Sequence, residues 1–151
     1  MNKPDTIRLA QKFAGDCLAF RVRVLNRVIT NLYDLVLKPF GITVNQTTIL
    51  ALLTLAGKVR PGEIGKELHM EKSTVSRNLK RMRKNGWIMV AAADSGPARV
   101  VAVTPAGRKL LAALYPEWQK AQATAARLLG DEGVTAVRTL HEAVRQISPP
   151  A

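Results

Sequence analysis

The spacing of apolar residues changes from helical to strand-like between residues 71 and 103, and this change restricts the possible folds more than any other feature. In EKSTVSRNLKRMRKNGW the apolar residues lie four and then three positions apart, on one face of a helix: Val75, Leu79 and Met82. Asn85-Gly86 then provides a favourable helix end. The next stretch, WIMVAAADSGPARVVAV, is typical of two short strands joined by a polar turn at residues 94–97. The pattern predicts a helix followed at once by a β-hairpin.

Helical spacing of apolar residues also precedes this segment. A long helix is predicted over residues 7–37. Thr43 and Gln46 form a predicted capping box at the start of a second helix, which is very apolar, ends before Gly57 and is expected to be buried. Pro61 suits the first turn of a short third helix. The helix that begins near residue 72 is therefore the fourth.

The segment after the hairpin is predicted to be helical as well. Thr104 is a favourable N-cap and Pro105 a favourable first helical residue. This helix extends towards Leu129, is broken at Gly130-Asp131, and is followed by a last helix over residues 132–147. Two short helices joined by a tight turn and followed by a two-stranded hairpin make a winged helix-turn-helix, in which the second helix of the pair enters the major groove of DNA.

Three regions follow from this order of elements. Residues 1–41 are predicted to be an N-terminal dimerisation helix, residues 42–104 a winged helix-turn-helix DNA-binding lobe, and residues 105–151 C-terminal dimerisation helices. The long terminal helices have apolar faces that are too extensive to be stable alone beside so small a lobe, which favours a homodimer. The predicted fold class is mainly α, a winged helix-turn-helix with long N- and C-terminal helices that form a dimerisation region.

The charge balance indicates a polyanionic partner. The 151 residues contain 23 Lys and Arg against 11 Asp and Glu, which gives a net charge of +12 at pH 7. Charge alone does not separate nucleic acid from an anionic membrane surface, but the most basic helix lacks the bulky residues that would face lipid. Only 5% of the residues are aromatic, which disfavours an RNA-binding protein with stacking platforms. Double-stranded DNA is the predicted partner.

Several other functional classes lack the residues they need. No apolar run approaches the roughly 18 residues of a membrane span, and the N-terminus lacks the apolar core of a secretory signal. One cysteine excludes an internal disulfide, and His69 and His141 lie far apart without metal-binding spacing. No nucleophile–His–acid set or phosphate-binding glycine loop is present. We therefore expect a cytoplasmic protein that is not an enzyme, needs no metal or cofactor and binds no membrane.

The face of the basic helix opposite its apolar residues carries only cations and small hydroxyls. An ordinary solvated helix usually mixes charges of both signs, because Glu–Lys pairs four residues apart stabilise it. The candidate DNA-binding residues are those of this helix together with one arginine of the hairpin: Ser73, Thr74, Ser76, Arg77, Lys80, Lys84 and Arg99.

These candidates differ in the contact that each favours. Arg77 favours a contact to a guanine, whose O6 and N7 accept two hydrogen bonds, although a phosphate contact is the alternative. Ser73 and Thr74 either contact DNA or cap the helix. Lys80 and Lys84 favour phosphate contacts.

The sequence resembles the MarR family of bacterial transcriptional regulators from about Cys17 to its end. The resemblance rests on LYDLVLKPFGITVNQTTILALL, on STVSRNLKRMRKNGWI, and on the hairpin followed by VTPAGRKLL, in this order. It implies a homodimer with interleaved terminal helices that binds a palindromic operator. It further implies a repressor that is released from DNA by a small ligand or by an oxidant.

The hairpin departs from the family pattern in one respect. The wing of the family usually carries Asp, an Arg two residues later and a second Arg near the following strand, whereas here Asp94 is followed by Ser95 and Gly96. Only Arg99 remains in this segment. It is interpreted as a minor-groove contact, because a narrow minor groove attracts arginine, or as a solvated end of the loop.

Cys17 allows two interpretations. Organic-peroxide regulators of the family carry a reactive cysteine in a similar N-terminal position, and a nearby cation such as Arg21 would favour the reactive thiolate. A lone cysteine in a helix is, however, more often a small buried apolar residue. The redox-sensing regulator switched through Cys17 is therefore the alternative to one released by a small ligand.

Overall fold

The computed structural model describes residues 3–92, 99–145 and 147 and has a mainly helical fold with one small sheet. The elements are, in order, α1 (Lys3–Asp16), α2 (Leu18–Leu37), a 3-10 turn (Lys38–Phe40), α3 (Val44–Ala56), α4 (Pro61–Glu67), α5 (Lys72–Lys84), β1 (Ile88–Ala92), β2 (Arg99–Val103) and α6 (Pro105–Arg145). The predicted winged helix-turn-helix is confirmed, with α4 and α5 as the helix pair and β1 and β2 as the wing.

The predicted single N-terminal helix is in fact two helices, separated at Cys17. The backbone at Cys17 is extended, with φ −72° and ψ 110°. The Arg21 guanidinium donates to the Gly15 carbonyl, with an Nε···O distance of 3.1 Å, and so satisfies a carbonyl at the end of α1. Gly15 has low helix propensity, which explains why the interruption falls near it.

The start of α3 is fixed by three hydrogen bonds, one of which joins it to the end of α2. The Thr43 hydroxyl accepts from the Gln46 amide, and the Gln46 side chain accepts from the Thr43 amide at 3.2 Å, which confirms the predicted capping box. The Asp34 carboxylate of α2 accepts from the Val44 amide at 2.6 Å. The bond from Val44 to Asp34 ties the end of α2 to the start of α3.

The hydrophobic core lies around α3, as its apolar sequence predicts. Ile49, Leu50 and Leu53 are fully buried, and α3 contacts α2, α5, α6 and β2. Leu55, near the end of the same helix, is 89% exposed, so only one face of α3 is buried near its C-terminus. Tyr33 of α2 donates a hydrogen bond to Gln122 of α6, and burial raises the pKa of the Tyr33 hydroxyl.

The wing is a short antiparallel hairpin attached to the lobe through a third segment. Ile88 pairs with Val103 and Ala92 with Arg99. Val59, in the connection between α3 and α4, forms a bridge to Val101 of β2 with two backbone hydrogen bonds of 2.8 and 3.0 Å. The predicted turn at residues 94–97 lies outside the described residues.

The C-terminal region contains the interruption predicted at Gly130-Asp131. Gly130 has φ 68° and ψ 170°, a conformation that does not belong to a helix, within the span Pro105–Arg145. The helical segment after Gly130 is described up to Arg145, and Ile147, the predicted end, is not helical.

Among the described residues, no single helix has both the length and the apolarity to cross a membrane. The segments Leu18–Phe40 and Val44–Ala56 have the required length and apolarity only when they are taken together, and they are bent by 76° relative to each other.

Candidate nucleic-acid interface

The second helix of the pair, α5, is held against the lobe by one apolar face. Val75, Leu79 and Met82 are buried, as their spacing predicts. The turn between α4 and α5 is tight, because the Met70 amide donates to the Gly65 carbonyl at 2.9 Å. A Cβ on Gly65 would lie 3.1 Å from the Met70 carbonyl oxygen, so glycine permits this close approach. His69 occupies the turn with a φ of 48°.

The opposite face of α5 is basic and its charge is not compensated. Its predicted DNA-binding residues are exposed except for the half-buried Thr74, and they are Ser73, Thr74, Ser76, Arg77, Lys80 and Lys84. In the part of the chain that the structure describes, no carboxylate forms an ion pair with a basic side chain of α5. The ion pairs that are found lie elsewhere, at Lys120–Glu117 and Arg145–Glu67. The face therefore presents positive charge and hydroxyl groups to solvent.

Arg77 lies near the middle of this face, with its guanidinium directed towards the start of α5. The guanidinium Nη2 donates to the Thr74 hydroxyl at 3.2 Å, while the side chain remains exposed. An arginine carries five N–H donors in a fixed fork, so this single bond leaves donors for a base or a phosphate. Thr74 thus restricts the direction in which Arg77 extends.

The interpretation of Ser73 or Thr74 as a helix cap is wrong. The N-cap residue of α5 is Glu71, and no side chain caps the helix there. The Thr74 hydroxyl accepts from Arg77 instead, and the Ser73 side chain is exposed. The hydroxyls of the first turn are consequently available to an external partner.

A cleft of about 790 Å³ lies between α4 and α5, beside the basic face. Lys66, Lys72, Ser76 and His69 line it together with Glu71. The sequence pattern does not single out Lys66, because α4 has only seven residues and shows no clear periodicity, whereas Lys72 is the first residue of the basic helix α5. With two lysines and one acid among its lining residues, the cleft adds positive charge beside the basic face.

Arg99 is the first residue of β2 and is exposed opposite Ala92. This position lies at the end of the wing that is distant from the core, since the core residues Ile88 and Val103 pair at its other end. The placement agrees with either interpretation of Arg99, as a minor-groove contact or as a solvated loop end.

Three other residues have clear positions. Trp87 is half-buried and packs against the core rather than projecting from the basic face. His141 is exposed on α6. Cys17 is half-buried at the break between α1 and α2, a position that agrees with either interpretation of this residue. The guanidinium of Arg21, one turn further on, donates to the Gly15 carbonyl.

A helix-turn-helix whose second helix presents an uncompensated basic face, followed by a hairpin wing, defines the winged helix-turn-helix class of protein. Residues 40–99, which contain both helices of the pair, match a family model described as the MarR family. The match covers the winged-helix lobe, and it agrees with the resemblance seen in the sequence.

One relative also matches part of the chain. An uncharacterised HTH-type transcriptional regulator of Bacillus subtilis (strain 168), YwoH, is 32% identical over 73 residues, which are 48% of this chain and 53% of that protein. The match therefore spans about half the length of this relative. The relative is named as a transcriptional regulator.

Solved structures match over nearly the whole chain. A mutant MarR from E. coli complexed with operator DNA is similar with a TM-score of 0.77 and 20% identity, over 88% of this chain and 96% of that chain. The M. tuberculosis transcriptional regulator MosR is similar with a TM-score of 0.75 and 27% identity, over 87% of this chain and 97% of that chain. The similarity includes the long terminal helices and is not confined to the winged-helix lobe.

Proposed function

We propose that this protein is a transcriptional regulator that binds double-stranded DNA in a sequence-specific manner through α5. The observation that carries the proposal is the exposed face of α5, on which cations and hydroxyls stand without any carboxylate partner among the described residues. Such a face is costly to present without an anionic partner, because like charges repel one another. The second helix of a helix-turn-helix is also the one that enters the major groove.

Each candidate residue receives a role from its position. Arg77 contacts a base, because it lies near the middle of the face and is oriented by Thr74. Lys80 and Lys84 contact phosphates, since they lie further along the helix, where the chain leaves the groove. Ser73, Thr74 and Ser76 contact phosphates or base edges near the start of α5, and Arg99 of the wing enters the minor groove.

The regulator acts as a homodimer on a palindromic operator. Residues 1–41 and 105–151 form its dimerisation region, and residues 42–104 form the DNA-binding lobe. The support is the large number of apolar side chains left exposed on the terminal helices of the single chain, including Phe13, Leu18, Phe20, Val22, Leu128, Leu140 and Val144. A monomer rarely exposes such an extended apolar surface. A two-fold dimer presents its two α5 helices to two half-sites of a palindrome.

The regulator represses transcription in the cytoplasm and is released from DNA by a small ligand. The E. coli relative bound to operator DNA supports the DNA partner, and the family resemblance supports repression. No cofactor and no membrane are part of this function.

Selection from a random pool of DNA duplexes tests the function. The wild-type protein is expected to enrich one two-fold symmetric sequence, and to bind it at least about 1,000-fold more tightly than a shuffled duplex of equal length. Transcription from a promoter that contains the selected sequence is expected to fall when the protein is added. Equal retention of all duplexes would contradict sequence-specific binding, whereas enrichment without an effect on transcription would contradict repression alone.

A redox-sensing regulator is the second candidate, favoured by the partial exposure of Cys17 at a break between two helices. The two candidates differ in their response to oxidant. If a small ligand releases the protein, organic peroxide leaves both the wild type and Cys17→Ser bound to the selected duplex. Release of the wild type alone would establish Cys17 as the sensor.

A further inference from the structure

The end of α5, the start of β1 and the first turn of α6 meet at one residue, Thr104. Its hydroxyl donates to the Gly86 carbonyl at 2.6 Å and accepts from the Gly107 amide at 3.1 Å. Its backbone amide donates to the Trp87 carbonyl at 3.0 Å. Thr104 therefore caps α6 and, with the same hydroxyl, bonds to the segment that follows α5.

The segment after α5 is itself tied to the last turn of the helix. The Gly86 amide donates to the Arg83 carbonyl and the Trp87 amide to the Met82 carbonyl, each at 3.0 Å, and Gly86 has a φ of 73°. This pattern is a Schellman motif, which holds the two residues after a helix in a fixed direction. Any displacement of α5 is thereby passed to Gly86 and Trp87, the residues that bond to Thr104.

The first turn of α6 also touches this segment directly. A Cβ on Gly107 would lie 2.2 Å from the Trp87 carbonyl oxygen and 2.8 Å from Cγ2 of Val103. The Trp87 carbonyl is held by the hydrogen bond from the Thr104 amide, and Val103 is buried and paired with Ile88, so both have little freedom to move. Glycine at this position lets the backbone of α6 rest on the backbone at Trp87, which makes the contact stiff.

We propose that Thr104 and Gly107 are positioning residues that fix the angle between α5 and α6, and so determine which spacing between two half-sites the protein accepts. This inference rests on the proposed function, in which α6 belongs to the dimerisation region and α5 contacts DNA. In a two-fold dimer the separation of the two α5 helices depends on the angle at which each leaves α6. A stiff junction holds the two α5 helices at one separation. A loosened junction lets them adopt slightly larger or smaller separations at a lower cost in free energy than the stiff junction does.

The preference for one spacing between half-sites can be measured, and it would not change if Thr104 and Gly107 only stabilised the fold. The probes are duplexes that carry two copies of the half-site selected by the wild type, with the spacer lengthened or shortened by one base pair, a shift of about 3.4 Å along the duplex axis. The quantity measured is the ratio of the affinity for the preferred spacer to the affinity for the altered one. A variant that only unfolds more readily binds less to every duplex and leaves this ratio unchanged.

Thr104→Val is the informative variant, and Thr48→Val is its matched control. Thr48 is an exposed threonine of α3 whose hydroxyl donates to the Val44 carbonyl at 2.9 Å, away from the junction. Thr104→Val is expected to lower the discrimination between spacers by about fivefold, the factor that corresponds to one net hydrogen bond. Thr48→Val and the conservative variant Thr104→Ser are expected to keep the wild-type ratio.

A further variant removes the hydrogen bond from residue 104 to the Gly86 carbonyl but keeps the cap on α6. The same variant replaces Thr104→Val if Thr104→Val does not fold. An aspartate in Thr104→Asp accepts from the Gly107 amide but has no hydrogen to donate to Gly86. It is expected to lower the spacer discrimination as Thr104→Val does, although the stability of α6 is kept. Wild-type discrimination in both variants would overturn the positioning role while leaving the proposed function intact. Failure of the wild type itself to select any duplex would overturn both.

Discussion

At the scale of single residues, the basic face of α5 follows from sequence because a helix has a regular period. Val75, Leu79 and Met82 are buried as their spacing requires, and this alone turns Arg77 and Lys84 outward. The bond from Arg77 to Thr74 was not predictable, because a side chain on an exposed face has several rotamers of similar energy. The roles of Thr104 and Gly107 as a junction also depend on tertiary contacts that no local pattern encodes.

Arg77 and Lys84 are expected to respond differently to truncation. Arg77→Ala should weaken binding to the selected duplex by roughly 1–3 kcal/mol and binding to unrelated DNA much less, because a two-bond contact to a base is lost. Lys84→Ala should weaken binding to both and reduce the slope of log K against log salt by about one unit, as a lost phosphate contact does.

Both variants are measured on both duplexes across a salt series, and each serves as the control for the other, since each removes one positive charge from α5. If Arg77→Ala lost the same affinity on the selected and the unrelated duplex, α5 would hold DNA without distinguishing its sequence.

At the scale of elements, caps and stop signals located most helix ends. The capping box at Thr43 and the stop at Gly86 are found where the sequence indicates them, because each is a local interaction of a few residues. The interruption at Cys17 was missed, since neither its residue type nor the apolar spacing around it marks a helix end. The interruption depends on Arg21, whose side chain donates to the Gly15 carbonyl in place of the backbone amide that would do so in a continuous helix.

Gly130 and Gly15 are expected to respond to alanine with opposite signs. Gly130 has φ 68° and ψ 170°, a region that is nearly restricted to glycine, so Gly130→Ala should lower the free energy of unfolding by about 1–3 kcal/mol. Gly15 lies inside α1, has no positive φ, and has no atom within 4 Å of an added Cβ. Gly15→Ala should therefore stabilise α1 by about 0.5–1 kcal/mol.

Urea unfolding of both variants, followed by circular dichroism, compares these changes directly. Neither added Cβ meets a neighbouring atom, so the comparison tests the backbone conformation at the two sites rather than steric contact. A stabilising effect of Gly130→Ala would mean that the interruption of α6 is not needed in the folded protein.

At the scale of the whole molecule, the apolar surface left open on the terminal helices is the main feature that a single chain does not explain. Phe20 of α2 is 53% exposed, and comparable residues continue along α1 and the end of α6. The sequence predicted these apolar faces through their periodicity, but it gave no information on how two chains would interleave. That arrangement depends on contacts between copies rather than on local spacing.

The protein is expected to sediment at twice its chain mass of 16.5 kDa at micromolar concentration. Phe20→Asp should shift it towards the monomer, because a buried charge at an interface core costs about 2 kcal/mol or more. Leu55→Asp is the matched control: Leu55 is 89% exposed but lies at the end of α3, in the winged-helix lobe. A wild type that remains monomeric would contradict the dimer and, with it, the palindromic operator.

The central claim is that the basic face of α5 lies in the major groove of a specific DNA sequence, and chemical protection by dimethyl sulfate tests it most directly. The reagent methylates guanine N7, which is exposed in the major groove, and adenine N3, which is exposed in the minor groove. We expect the wild-type protein to protect guanine N7 in both half-sites of the selected duplex, and Arg77→Ala, at saturating concentration, to lose protection at one guanine of each half-site. Protection of adenine N3 without any protection of guanine N7 would contradict the account, because α5 would then not occupy the major groove.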